Sequence, residues 1–106
     1  MYKRQELAWA GDIPGSKAVL LAKATARREV ELWEMHLEPG DRYSPDPDPD
    51  GWSVQLFVFE GCLTLLVGEE EKHVAAGEFY MFASRNVHGY RNDGDVAVRF
   101  VRNVVI

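Results

Sequence analysis

The chain is 106 residues long, room for one hydrophobic core and not for two, and its 46% hydrophobic content excludes wholesale disorder. Its 17 acidic side chains against 12 basic ones give a net charge of −5, which argues against this chain gripping a nucleic-acid backbone by itself. The single cysteine, Cys62, forbids an internal disulfide and fits a reducing compartment, and no apolar run approaches the ~20 residues of a membrane helix.

Residues 1–16 read as an irregular N-terminal segment. Gly11-Asp12-Ile13-Pro14-Gly15-Ser16 is a turn cluster, and only Leu7 and Trp9 offer apolar bulk. Tyr2-Lys3-Arg4-Gln5 resembles the translation of a transposon end used in sequencing libraries. The first five residues are then a scar on a gene fragment with more protein upstream, or else an ordinary frayed terminus. Lys3-Arg4 leads into Gln5-Glu6 rather than an apolar stretch, so a cytoplasmic location is expected.

Residues 17–106 read as a single β domain. Lys17–Lys23, a short apolar run between lysines, is expected as a strand, although one helical turn also fits. The pair Arg27-Arg28 is too small a basic patch to change the charge argument. From Val30 to Leu37 the pattern has period two. Glu31, Trp33, Met35 and Leu37 share one face, and three large apolar side chains make it the core face, leaving Glu34 and His36 toward solvent. Glu38-Pro39-Gly40-Asp41 ends that strand. The alternating prolines of 44–51 forbid helix and central strand, so an extended loop follows.

Ser53–Val67 is the strongest β segment, with a corner at Glu60-Gly61, and Cys62 just beyond it reads as a small core residue. Gly68–Lys72 is a charged hairpin tip, and His73 returns from it at the surface. From Gly77 to Asn92, Glu78, Tyr80 and Phe82 alternate with Phe79, Met81 and Ala83 before the polar break Ser84-Arg85-Asn86. His88, Tyr90 and Asn92 then share one strand face. A histidine two residues after a turn on an aromatic face is a candidate pocket residue, although a hydrogen-bonded core histidine carries the same signature. Asp93-Gly94-Asp95 signals a hairpin into a last strand, Val96–Ile106. About eight or more short strands at this spacing predict an all-β, antiparallel sandwich or barrel.

Two spaced patterns carry a family resemblance. Gly40 opens a segment closed by Gly61; Gly77 opens a shorter one in which Ala83, His88 and Asn92 stand at fixed intervals. Together with Phe59-Glu60-Gly61 and Val67-Gly68, this resembles the two-motif signature of the cupins, small jelly-roll β-barrels. Within that group, Leu32-Trp33-Glu34-Met35 through Tyr90-Arg91-Asn92 is similar to the ligand-sensing C-terminal domains of bacterial helix-turn-helix, repressor-type regulators. The resemblance implies a homodimer, and a DNA-binding unit for which residues 1–28 leave no room, so that this chain is the sensor half and meets DNA only through a helix-turn-helix segment it lacks.

The first motif departs from metal-binding cupins. They place a His-x-His pair and a glutamate before the closing glycine; here those positions fall on Asp46, Asp48 and Val54. One histidine without imidazole partners makes a poor transition-metal site, so no cofactor is expected. If any metal binds, His88, Asp46 and Asp48 are its ligands. Asp46-Pro-Asp48-Pro-Asp50-Gly51 also begins like a calcium loop, but Phe57 stands where the bidentate glutamate belongs, leaving a solvated acidic rim as the preferred account.

No nucleophile–base pair or phosphate loop stands out. The expectation is a non-catalytic domain that binds a small polar metabolite, an amino acid or another carboxylate, for a regulator. The candidate ligand-binding residues are His88, Gln55, Phe57, Tyr80, Arg99 and Trp52, with Met81 and Asn103 as further wall and Arg42 and Arg102 as further carboxylate partners. Which of them face inward depends on strand register. The alternative is a metal-dependent dioxygenase or isomerase using His88 and a loop aspartate.

Overall fold

The computed structural model describes the backbone of residues 6–25 and 29–106, and the side chains of 9–20 and 29–106. The suspected scar at 1–5 and the Arg27-Arg28 pair lie outside the described residues. Ten strands follow one another, with no helix among the described residues: β1 (Glu6–Ala10), β2 (Lys17–Thr25), β3 (Glu29–Leu37), β4 (Arg42–Tyr43), β5 (Ser53–Glu60), β6 (Cys62–Val67), β7 (Glu70–Ala75), β8 (Phe79–Ala83), β9 (His88–Arg91) and β10 (Val98–Val105). They form two antiparallel sheets, in the order β1-β2-β3-β10-β5-β8 and β4-β9-β6-β7. Strands β3 to β10 make an eight-stranded double-sheet jelly roll, as the alternation foretold. The first two strands extend one sheet beyond it.

Period-two patterning puts one row of each strand between the sheets. Met35 and Leu37 of β3, Val54, Leu56 and Val58 of β5, Leu63 and Leu65 of β6, and Val98 and Phe100 of β10 are all buried there. Each such side chain contributes about 1.5–3 kcal/mol by leaving water. The chain switches sheets between β5 and β6 at Gly61, whose φ is +78°. A Cβ there would strike the Ala97 carbonyl oxygen and come within 3.1 Å of the Val98 Cα, so only glycine fits this corner.

Three expectations need correction. Part of 1–16 is ordered strand: β1 pairs with β2 across a turn in which Gly11 donates to the Ser16 carbonyl at 2.8 Å. The free edge of β2 accepts that pairing, and a neighbour's edge leaves no mark on the local pattern. Asp93–Asp95 is not a hairpin. β9 lies between β4 and β6 while β10 lies between β3 and β5, so the segment crosses from one sheet to the other. The turn signal reads local backbone preference only. Cys62 is exposed, because Leu63 and Leu65 take the inward parity on β6.

The crossing is pinned by Asn92, which is fully buried. Its Nδ2 donates to the carbonyls of Leu37 at 3.0 Å and Val96 at 2.8 Å, and its Oδ1 accepts the Gly94 N–H at 3.0 Å.

Candidate functional site

The space between the sheets carries more aromatic and polar surface than a plain core. His88 and Tyr90, on β9, point inward against β8 and β10. The His88 ring meets Phe82 at 5.2 Å and Tyr90 at 5.9 Å between centroids, both edge-on, and Tyr90 stacks on Phe100 at 5.6 Å and on Tyr43 at 5.9 Å. His88 is 4% exposed; its Nδ1 lies 2.8 Å from the Asn86 carbonyl oxygen, a hydrogen bond that fixes Nδ1 as the protonated nitrogen.

Arg102 enters this belt from the opposite sheet. It lies on the same row of β10 as Val98, Phe100 and Val104, and is only 6% exposed. Its guanidinium carbon sits over three rings: Trp33 at 5.1 Å, Tyr43 at 5.3 Å and Tyr90 at 5.6 Å. Ring faces attract a cation. They offer no acceptor, however. The Arg102 Nε has no hydrogen-bond partner, and no ion pair reaches the guanidinium among the described residues. The Tyr90 hydroxyl, at a residue 1% exposed, has no partner at good hydrogen-bond geometry. Burial pushes the Tyr90 pKa up, and the positive charge of Arg102 beside it, with a loose hydrogen bond from its guanidinium, opposes that shift. The Ser84 hydroxyl, on the inward row of Phe82, is a third buried group lacking a partner.

A cleft of about 450 Å³ opens where β3 and β5 begin and β10 ends, lined by Glu29, Asp50, Trp52 and Ile106. Arg102 lies four residues before Ile106, about 13 Å down the strand. The loop before β5 is tied across this end: the Asp48 N–H donates to the Ser84 carbonyl at 3.0 Å, and the Ser84 N–H to the Trp52 carbonyl at 3.1 Å.

The structure divides the expected site residues. His88 faces the interior, Trp52 lines the cleft at the mouth, and Tyr80 stands at the open side between β7 and β8, where it lines a second cleft of about 430 Å³. Gln55, Phe57 and Arg99 do not face the interior. Val54, Leu56 and Val58 take the inward parity of β5, which turns Gln55 and Phe57 to the outer face; Arg99 sits outside, over the Phe59 ring at 5.0 Å. Met81 and Asn103 lie on that outer face too, with Asn103 donating to Gln55 at 3.3 Å and Gln55 to the Met81 sulfur at 3.4 Å. Arg42 is exposed. Both rows of β5 and β10 are apolar, so sequence alternation could not say which row is inside; Arg99 and Arg102, three apart, necessarily take opposite faces. The missed members, Trp33, Tyr43 and Tyr90 around Arg102, were legible only as aromatic residues at inward parity.

The metal-ligand positions of cupins do not fit a metal here. Asp46 is exposed, Asp48 half-buried, and Val54 is a buried hydrocarbon where a carboxylate would stand. No three His, Cys, Asp or Glu side chains are grouped for a metal among the described residues. Among the described residues no helix is long and apolar enough to cross a membrane.

The family model of the cupin domain, Cupin_2, matches residues 33–106. Among solved structures, the Cupin_2 domain of an XRE family transcriptional regulator from Enterobacter cloacae superposes with a TM-score of 0.80 at 20% identity, over 87% of this chain and 97% of that one. An HTH_3 family transcriptional regulator from Vibrio cholerae gives 0.78 at 23% identity, over 87% of this chain; the match spans 51% of the regulator. A sugar phosphate isomerase of the cupin superfamily from Silicibacter pomeroyi gives 0.71 at 18% identity, over 97% of this chain and 71% of that one. A search of curated proteins finds no match.

Proposed function

The chain belongs to the Cupin_2 family of cupin domains, and from that premise we propose that it is a non-catalytic small-molecule-binding domain, the effector-sensing part of a transcription regulator. One observation carries the binding role. The interior holds buried polar atoms without a hydrogen-bond partner of good geometry, the Arg102 Nε and the Tyr90 hydroxyl foremost, where a plain core would hold hydrocarbon. The likeness to the Enterobacter and Vibrio domains supports the regulator setting, in which DNA is met by a helix-turn-helix unit outside this chain and the complex works in the cytoplasm.

A ligand can switch a regulator only by binding one arrangement better than another. A second copy of the chain supplies the arrangements. The outer face of the six-stranded sheet leaves Phe57 46%, Phe79 63% and Met81 55% exposed. Apolar surface of this kind favours an isologous dimer. Sedimentation equilibrium should give a dimer that Phe79→Asp dissociates.

The competing reading is a metal-dependent dioxygenase or isomerase, favoured by the likeness to the sugar phosphate isomerase. Elemental analysis after dialysis against Mn, Fe, Ni and Zn separates the two. Binding-domain function predicts no stoichiometric metal in wild type or His88→Ala. Near-stoichiometric metal that disappears in His88→Ala would overturn it.

A further inference from the structure

Resting on the binding role proposed above, we infer that Arg102 is the ligand's anchor: its guanidinium receives the carboxylate of a small monocarboxylate inside the barrel, with the Tyr90 hydroxyl as a second donor and the rings of Trp33 and Tyr43 as walls. A guanidinium has five N–H donors in a planar fork that matches a carboxylate. Here Arg102 is more than nine-tenths buried, its Nε has no hydrogen-bond partner, and the three rings around it stabilise the charge but accept no hydrogen bond in the way an oxygen does. The Tyr90 hydroxyl beside it is equally buried and makes only a loose hydrogen bond, with Arg102 itself, which leaves its own proton without an acceptor. Two adjacent donors without an acceptor, on facing sheets, are the complement of one bound anion.

The surroundings choose among anions. A single guanidinium balances one negative charge, so a second one on the ligand would be buried without a partner, which disfavours oxalate or phosphate. The apolar row of Leu56 and Phe100 flanking Arg102 on β5 and β10 favours a compact organic acid over a hydrated inorganic one.

The test pairs acids with their uncharged amides. Acetate, lactate and glycine are titrated calorimetrically against acetamide, lactamide and glycinamide, with oxalate and inorganic phosphate alongside, on wild type, Arg102→Met, Arg102→Lys and the surface control Arg91→Met. The expected result is that at least one monocarboxylate binds wild type and Arg91→Met while its amide does not. Arg102→Met should then lose about ten- to hundredfold in affinity, the worth of charge-assisted hydrogen bonds, and Arg102→Lys should fall between. Ligand-free Arg102→Met should unfold at the same or a higher temperature than wild type, because an unpaired buried charge gives way to hydrocarbon.

Acids and amides that bind alike, or acids that bind Arg102→Met as tightly as wild type, would overturn the anchor while leaving a binding domain. So would an Arg102→Met that loses thermal stability sharply, since the cation would then be structural. Should that variant fail to fold, Arg102→Lys decides, with undiminished affinity counting against the anchor. If no compound of either class binds, the anchor and the binding role fall together.

Discussion

Asn92→Ala tests the account of how the two sheets are joined. The side chain makes three hydrogen bonds, to the carbonyls of Leu37 and Val96 and from the Gly94 N–H, at 2.8–3.0 Å. At about 1 kcal/mol each the loss comes to about 3 kcal/mol, and the orphaned Leu37 carbonyl, at a fully buried residue, keeps the cost from being lower. In a domain of this size that lowers the unfolding midpoint by about 15 °C. Asn92→Asp sharpens the test. It keeps an acceptor for Gly94 but turns a carboxylate oxygen toward two carbonyls. Burial and those carbonyls raise its folded-state pKa above the unfolded value of about 3.9. An acid so shifted contributes most below its unfolded pKa, and that contribution is lost as the pH climbs through the folded one. The deficit of Asn92→Asp against wild type should therefore widen from about pH 4 to pH 7. Urea unfolding followed by tryptophan fluorescence at both pH values measures it. A cost for Asn92→Ala below about 1 kcal/mol, or a pH-independent deficit for Asn92→Asp, refutes the reasoning.

Asp41 predicts an acid limb. Burial pushes its pKa up, but the N–H groups of Arg42 at 2.8 Å and Ile13 at 3.2 Å, with the Ser16 hydroxyl, hold it below the ordinary 3.8. Its stabilisation is present above about pH 4 and lost as pH falls through the folded value. Thermal unfolding of Asp41→Asn should accordingly lose less between pH 5 and pH 3 than wild type does; parallel curves would count against it. Gly61→Ala should cost about 3 kcal/mol or more, combining a positive φ with a backbone clash, whereas Gly77→Ala, with φ +88° and open space around it, should cost about 1 kcal/mol in the same urea assay. Equal costs would mean that the corner can relax. Cys62, being exposed, should react with a thiol reagent as fast in the folded protein as in the unfolded one; protection until unfolding would place it inside.

Much of the architecture was written in local patterns. The core face of β3, the extended proline loop, the corner at Gly61 and the shared inward face of His88, Tyr90 and Asn92 all follow from period-two alternation and from what proline and glycine permit. Asp93–Asp95 shows the limit of such reasoning, since a turn sequence states that the chain bends and not which sheet it bends toward. The β1 strand shows another, because its pairing is decided by an edge elsewhere.

By itself, the sequence determined that the chain is an antiparallel β domain with one histidine on an aromatic face. Only the tertiary structure decided which arginine faces the interior. Val98, Phe100 and Val104 interleave with Val101 and Val105, so both rows of β10 are hydrophobic enough to be the inner one. Packing against the second sheet settles the choice: Arg102, opposite Trp33 and Leu56 in its own sheet, meets the Tyr43 and Tyr90 rings of the other, and Arg99 turns toward Glu34 and Glu60. Alternation tells which residues share a face; only packing against the second sheet tells which face is buried.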